Sequence, residues 1–466
     1  MAGFRISSAA GIVIVLSMTC SVSSFSPLGV MKPIGNVATL RGSTCSGRGL
    51  SALQMVASPL KTTAKTFTKL EKNIKTPDPI PEEGIELATE IMRSGKLYRY
   101  SAESAASCMV SRCEEALAAY MDFKYCVSLN SCGSAIFMAL KCVGAQHDDL
   151  VLSNAFTFTA VPSAIVHAGC EPVYVECNEQ YLMDPEHLAE MADKTGAKYV
   201  VVSHMRGKVA DMDAIEEVCK TRGITIIEDC AHSLGVRWRD EHSGHKGVMA
   251  CVSSQSYKML NSGEGGFLLT DDEDLAAKMI LYAGAYEKLY QKHSTRPADE
   301  FFEKHKLETP NYSMRMDVAR AAMIYPQIFT LDERIATYNR RYATVKQELN
   351  KIPQLTVPDQ LEEVSPVYDS VQFNIKGISE AQLDAFTQGC AARGVPVEIF
   401  GAKTNARYFR NWKYTAKSQT QFDSLPKTEK IIQWAGDLRL PLQFEDSDFE
   451  IMTTAVREAM EDAVGA

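Results

Sequence analysis

Residues 199–229 read YVVVSHMRGKVADMDAIEEVCKTRGITIIED, and this stretch decides the fold class. Residues 199–203 form a continuous apolar run, the form taken by a parallel strand buried on both faces. Residues 224–227 (ITII) repeat that form. Between them, Met212, Ile215, Val218 and Cys219 fall on one face of a helix predicted over 212–222, which Gly223 ends. Strands alternating with helices give an α/β domain around a mostly parallel sheet, with residues 170–175 expected as a neighbouring strand. Ligands of such sheets bind beyond the carboxyl ends of the strands, where Asp229 stands. An acid there also serves as a helix cap, so Asp229 alone decides nothing.

Working outward, an α/β pattern occupies residues 77–330. Leu331, Ile335, Tyr338, Tyr342, Val345, Leu349 and Ile352 are spaced as one face of a long helix over 331–352. That helix leads into a smaller C-terminal unit, so 331–466 is read as the second domain. The full 466 residues are too many for one ordinary core. Hydrophobic residues at 45% and charged residues at 23% exclude wholesale disorder.

Charge is unevenly placed. Residues 1–70 hold seven Lys or Arg and no acid, so the net charge of -9 becomes -16 without them. A body that acidic repels a phosphate backbone, and no nucleic-acid partner is expected. Arg5, the apolar residues 9–16 (AAGIVIVL) and small residues up to Ser24 have the layout of a secretory signal. The apolar run is too short to span a bilayer, and no membrane association is expected of the mature chain. The junction Ser23-Ser24-Phe25-Ser26-Pro27 resembles a two-part plastid presequence, giving residues 1–57 as a removable leader to the plastid, with secretion as the alternative. Thirteen cysteines, two of them (Cys20 and Cys45) in the leader, leave an odd, irregularly spaced set that suits free thiols. No zinc-site spacing occurs, and no metal is expected; His242 and His245 are read as part of a hairpin loop.

Two further stretches carry chemistry. Residues 253–258 (SSQSYK) place Lys258 among small hydroxyls, followed by the glycine turn 263–266 (GEGG) and the strand-like 267–270 (FLLT). Residues 130–134 (NSCGS) precede an apolar helix, where free N–H groups and the helix dipole favour a phosphate; plain N-capping explains them equally well. A lysine amine for a Schiff base, a helix start for a phosphate and an acid for a pyridinium nitrogen are the requirements of pyridoxal phosphate. No Walker loop, GxGxxG, GxSxG or HExxH competes with this reading.

The segments EDCAHSLG, SSQSYKMLNSGEGGFLLT and NYSMRMDVARAAM resemble the DegT/DnrJ/StrS aminotransferases, fold-type I pyridoxal-phosphate enzymes known for aminating keto-sugars. The resemblance implies a large domain with a mostly parallel mixed sheet and a smaller α/β C-terminal domain. It implies that Lys258 carries the cofactor and moves the proton, that Asp229 holds the ring nitrogen protonated, and that His232 lies near the ring's 3-oxygen. Phe158 would stack on the ring. Ser253 would bind the phosphate together with the 131–134 loop, and Asn311 would reach the phosphate of a second subunit, making a homodimer with a shared site. Two departures stand out. Cys132-Gly133-Ser134 replaces a common Gly-Thr-Ala, so Ser134, or main-chain N–H groups from Ser131 onward, must substitute for the threonine hydroxyl. Residues 398–412 also lack a histidine frequent in sugar-modifying members. The implied reaction moves an amino group from an amino acid, with glutamate expected, to a keto-sugar or similar ketone. A sugar dehydratase of the same family and a silent regulatory homologue are the alternatives; the dehydratases typically carry His at the lysine position, and a silent copy needs neither Lys258 nor Asp229. Asn311 also heads the only N-x-S/T sequon, where a glycan would block the implied phosphate contact.

Overall fold

Seven strands form the main sheet: β1 (Tyr125–Leu129), β2 (Leu150–Asn154), β3 (Glu171–Val175), β4 (Tyr199–Ser203), β5 (Thr225–Asp229), β6 (Met249–Ser253) and β7 (Gly266–Thr270). The computed structural model that gives them describes residues 67–465, without the side chains of 416–419. The expectations for residues 1–57, including Phe25, Cys20 and Cys45, lie outside the described residues.

The strand order is β1-β7-β6-β5-β4-β2-β3. The pairs from β6 to β3 are parallel, and β7 runs antiparallel to both β1 and β6. Val200, Val202, Ile226, Ala250 and Val252 enter one core with Met212, Ile215 and Cys219 of helix Met212–Arg222. The alternate residues Val201, Ile227, Cys251 and Leu268 enter a second core with helices Cys132–Cys142 and Glu273–Ala283. Helices cover both faces, so the strands carry no polar side to interrupt their apolar runs. Helix Met212–Arg222 has the expected bounds, with Asp211 accepting from the Ala214 N–H at 3.0 Å and Gly223 turning left-handed at φ 65°.

One placement differs from expectation. The strand read over 170–175 does not adjoin β4 or β5; it is the outer strand β3, and β2 lies between it and β4. β2 ends in Ser153-Asn154, of which Asn154 bonds to the Ser203 main chain inside the sheet, so its apolar run is too short to announce a strand.

A second sheet follows helix Leu331–Leu349, which stops three residues short of the expected end. It comprises β8 (Leu355–Thr356), β9 (Ser370–Ile375), β10 (Glu398–Ile399) and β11 (Ala435–Arg439), in the order β8-β9-β11-β10 and antiparallel throughout. Residues 67–76, ahead of the sequence-based boundary at 77, already pack here: the Leu70 N–H donates to the Arg393 carbonyl, and the Thr68 hydroxyl to Glu458. The first core continues without a break into Val371, Phe373 and helix Asp446–Gly465. No described helix is long and apolar enough to cross a membrane.

Candidate active site

The chain leaving β1, β2, β4, β5 and β6 at their carboxyl ends sends side chains into one cavity of about 610 Å³. Ser131, Cys132 and Gly133 follow β1, Phe158 follows β2, and Arg206 follows β4. Asp229 closes β5 with His232 just beyond, and Ser253 closes β6 with Lys258 beyond it. The antiparallel β7 contributes Gly265 from its opposite end, which lies at the same edge.

Asp229 is buried, and both of its oxygens are held. The Ser203 hydroxyl donates to Oδ2 at 2.5 Å and the Ala231 N–H to Oδ1 at 3.1 Å. Lys258 Nζ lies 2.7 Å from His232 Nε2. Burial, then the positive charges of Arg206 and Arg407, push the Lys258 amine down to about 7. Burial and the neighbouring Lys258 hold His232 well below the usual imidazole range, so the ring is neutral; its Nδ1 is buried without a partner.

The phosphate-type feature is a helix start. Ser131 caps helix Cys132–Cys142, its hydroxyl accepting from the Ser134 N–H at 3.1 Å. The amides of Cys132 and Gly133 belong to the first turn, which has no intrahelical acceptors. β7 passes close against this turn, because a Cβ on Gly266 would sit 2.5 Å from Ser131 C and from Cys132 N. That contact explains the last glycine of the GEGG turn.

Arg206 is fixed by strain and charge together. It occupies the left-handed region at φ 59°, followed by Gly207 at φ 75°, where a Cβ would meet the Val367 carbonyl oxygen at 1.5 Å. Its guanidinium pairs with Asp437 of β11 at 2.5 Å. Arg407 and Arg439 line the same cavity, and burial, then Arg206, pushes Arg407 down to about 10. The Nε atoms of all three arginines are buried without a partner. A helix start with unused amides, a fixed carboxylate, an amine that loses its proton near neutral pH and unfilled buried donors fit pyridoxal phosphate. Ser131, Cys132, Gly133 and Ser253 would hold its phosphate, Asp229 its ring nitrogen and Lys258 its carbonyl carbon.

Residues 79–457 match the DegT/DnrJ/EryC1/StrS aminotransferase family. The chain belongs to this family. The spore coat polysaccharide biosynthesis protein SpsC of Bacillus subtilis is 33% identical over 285 residues, 60% of this chain and 69% of that protein. The 3-amino-5-hydroxybenzoate synthase of Amycolatopsis mediterranei is 28% identical over 292 residues, 62% of this chain and 72% of its own. Among solved structures, the putative sugar aminotransferase Spr1654 of Streptococcus pneumoniae in its PMP form superposes with a TM-score of 0.72 at 18% identity, covering 83% of this chain and 99% of that one. That likeness shows the fold.

Of the residues the family resemblance singled out, Lys258, Asp229, His232, Phe158, Ser253, Ser131, Cys132 and Gly133 converge on the cavity. Ser134 and Asn311 do not line it. The Ser134 hydroxyl donates to Asn130 Oδ1 at 2.6 Å, so it is engaged within the turn, and the main-chain amides remain as phosphate donors. Asn311 is exposed, its Oδ1 accepting from the Ser313 N–H at 2.8 Å. His242 and His245 go separate ways: His242 accepts from Arg237, and His245 stacks on Phe123 with ring centres 3.9 Å apart. A closer grouping of His204, Glu228 and Cys230 went unread in the sequence. There Glu228 accepts from the Gly244 and Gly247 N–H groups, which ties the loop after the hairpin to β5. The eleven described cysteines are free, and all but Cys132 are buried.

Sequence reasoning also missed Arg206, Arg407 and Arg439. Arg206 had a usable signal, since it lies three residues past the carboxyl end of β4. Arg407 and Arg439 had none, because they reach the cavity only through the packing of the second sheet.

Proposed function

We propose that the protein is a pyridoxal-phosphate-dependent aminotransferase that carries an amino group from an amino acid to a keto-sugar or similar small ketone. The observation that carries this reading is the convergence of Lys258, Asp229 and the Ser131–Gly133 helix start on one cavity. When bound, pyridoxal phosphate supplies an electron sink for charge developing on the substrate carbon. Lys258, whose amine loses its proton near neutral pH, would be both the nucleophile that takes up the cofactor and the group that carries a proton on Nζ. Asp229, fixed by Ser203 and the Ala231 amide, would keep a proton on the ring nitrogen. His232 stays neutral and sets the position of Nζ. Intact Lys258 and Asp229 weigh against the dehydratase and silent readings. Borohydride reduction followed by peptide mass spectrometry should find the cofactor mass on Lys258, and ¹⁵N-glutamate should label the aminated ketone. The cofactor on Lys246 or Lys278, or no adduct at all, would sink the reading.

A homodimer with a shared site and a plastid location belong to the same proposal. Asn311, exposed and outside its own chain's cavity, is suited to a second subunit's phosphate. Asn311→Ala should weaken cofactor binding roughly 10- to 150-fold, the worth of one hydrogen bond to a charged group, while the saturated enzyme still turns over. A sedimenting monomer that binds cofactor at full strength would contradict the shared site. The acid-free leader supports plastid import, and a fluorescent fusion of residues 1–57 found only in the medium would contradict it.

A further inference from the structure

The arginines and lysines lining the cavity divide into paired and unpaired ones. Arg206 is paired with Asp437 at 2.5 Å, and Lys75 with Glu398 at 2.8 Å. Among the described residues, no carboxylate lies within ion-pair distance of Arg407 or Arg439. Arg439 reaches only the Tyr257 carbonyl, at 3.4 Å. The Arg407 side chain donates to no other described residue, and its Nε is buried without a partner; its guanidinium carbon lies 5.5 Å from the centre of the Phe158 ring, on the cavity wall. A half-buried guanidinium without an ion-pair partner is costly to the fold. It is retained here at the cavity wall, where an incoming ligand can supply the missing charge. Arg407 acts electrostatically on Lys258 and His232, which puts its charge on the reacting side of the cavity.

We propose that Arg407 is the specificity-determining residue of a carboxylate site, with Arg439 lining the same space. The substrate that enters carries a free carboxylate, and the planar guanidinium fork of Arg407 receives it. This inference rests on the aminotransferase reading for its substrates. The carboxylate has two possible sources, the α-carboxylate of the amino donor or an acid group on the keto acceptor, and the test separates them.

Holoenzyme carrying Arg407→Gln or Arg407→Lys is assayed in two arms. The donor arm compares L-glutamate with its α-amide, and the acceptor arm compares a keto-sugar acid with its neutral counterpart. In one arm, Arg407→Gln should raise KM for the acid and lower its kcat/KM roughly 10- to 150-fold. The neutral partner should change far less, so discrimination between the two collapses. Arg407→Lys should recover part of it, keeping the charge without the fork. An effect in the donor arm assigns the site to the amino donor, and one in the acceptor arm to an acid-bearing ketone; either upholds the proposal. Equal losses for acid and neutral partners in both arms, or no loss in either, overturn it. Calorimetry with glutarate, which has neither amine nor ketone, reads the site without turnover: wild type should bind it and Arg407→Gln should not. Glutarate binding by an enzyme that transfers no amino group would overturn the aminotransferase reading and leave the carboxylate site standing.

Discussion

Two arginines with opposite surroundings, Arg99 fully buried and Arg407 half-buried, divide the molecule into a part that holds itself together and a part that waits for a ligand. Arg99 meets Glu114 through two bonds, at 2.6 and 2.9 Å, with His293 Nδ1 3.1 Å from the same guanidinium. Glu114 also accepts from the Ser128 N–H of β1, and the Tyr100 hydroxyl lies 2.8 Å from His293 Nε2. Among the described residues no carboxylate pairs with Arg407, although the charges of Asp437, Glu398 and Asp369 act on it from farther off. The charge of Arg99 is paired, although its Nε is buried without a partner, and the pair ties the edge strand β1 to helix Met109–Tyr120. The cluster around Arg407 is open, and it surrounds the lysine. Burial of charge alone therefore identifies nothing; the missing counter-ion identifies the site.

The largest effect expected on the open side is at Lys258. Lys258→Ala removes the amine that takes up the cofactor and the group that moves the proton, and proton transfer alone is worth about 10²–10⁴ in rate. Amino transfer should disappear while the melting temperature barely moves. On the closed side the pattern should invert. Glu114→Gln leaves Arg99 buried beside a neutral group, a change worth about 3–5 kcal/mol of stability. The urea midpoint should fall sharply, and the activity of the folded fraction should remain. Loss of turnover at unchanged stability would break the comparison.

The closed network also sets a pH response. Burial works against the Glu114 anion, but Arg99 and His293 outweigh it and bring its pKa down to about 2; burial, then Arg99, brings His293 down to about 4. Both folded values lie below the unfolded ones. The stability they contribute is therefore complete above pH ~6.5 and is lost as pH falls, through His293 first and then Glu114. His293→Gln should remove the upper part of that loss in acid denaturation curves.

A smaller effect tests the junction of β7 with the helix start. Gly266→Ala drives a Cβ against main-chain atoms of Ser131 and Cys132, which cannot rotate away. Overpacking of this kind costs about 1–3 kcal/mol. Cofactor affinity should fall with stability, because the displaced atoms are those proposed to hold the phosphate.

These tests follow the line between what the sequence displayed and what it concealed. The β4–helix–β5 unit was legible because burial on both faces leaves uninterrupted apolar runs, and because Asp211 and Gly223 mark the helix ends chemically. β2 was not, because the polar Ser153 and Asn154 cut its apolar run short, Asn154 spending its amide on bonds within the sheet. Lys258, Asp229 and the helix start were legible because cofactor chemistry needs particular side chains at strand ends. Arg407 was not, because a lone arginine in a loop looks solvated until the second sheet buries it. Nor could the sequence tell that Ser134 would spend its hydroxyl on Asn130. Pairing is a property of three-dimensional neighbours, and the comparison between Arg99 and Arg407 depends on nothing else.

The subtlest test concerns what Arg407 does to Lys258 before any substrate arrives. Burial is the main reason the amine is pushed down to about 7, and Arg206 and Arg407 add to it, opposed by Asp229 and Asp369. Only the neutral amine attacks a carbonyl, so capture of pyridoxal phosphate by the apoenzyme should rise with pH through a limb near 7. Arg407→Gln removes one of the cations that disfavour protonation, so the Lys258 pKa should rise and the limb should move to higher pH. The displacement should be about one unit or less, because burial remains. At a fixed pH near 7, capture should then slow, and raising the pH should restore it. Glu114→Gln should leave the limb where it is, since the Arg99 network does not contribute to the shift at Lys258. A limb that stays put in Arg407→Gln would mean that the guanidinium does not act on the amine. A limb that moved in both variants would mean that the closed and open clusters are electrostatically one.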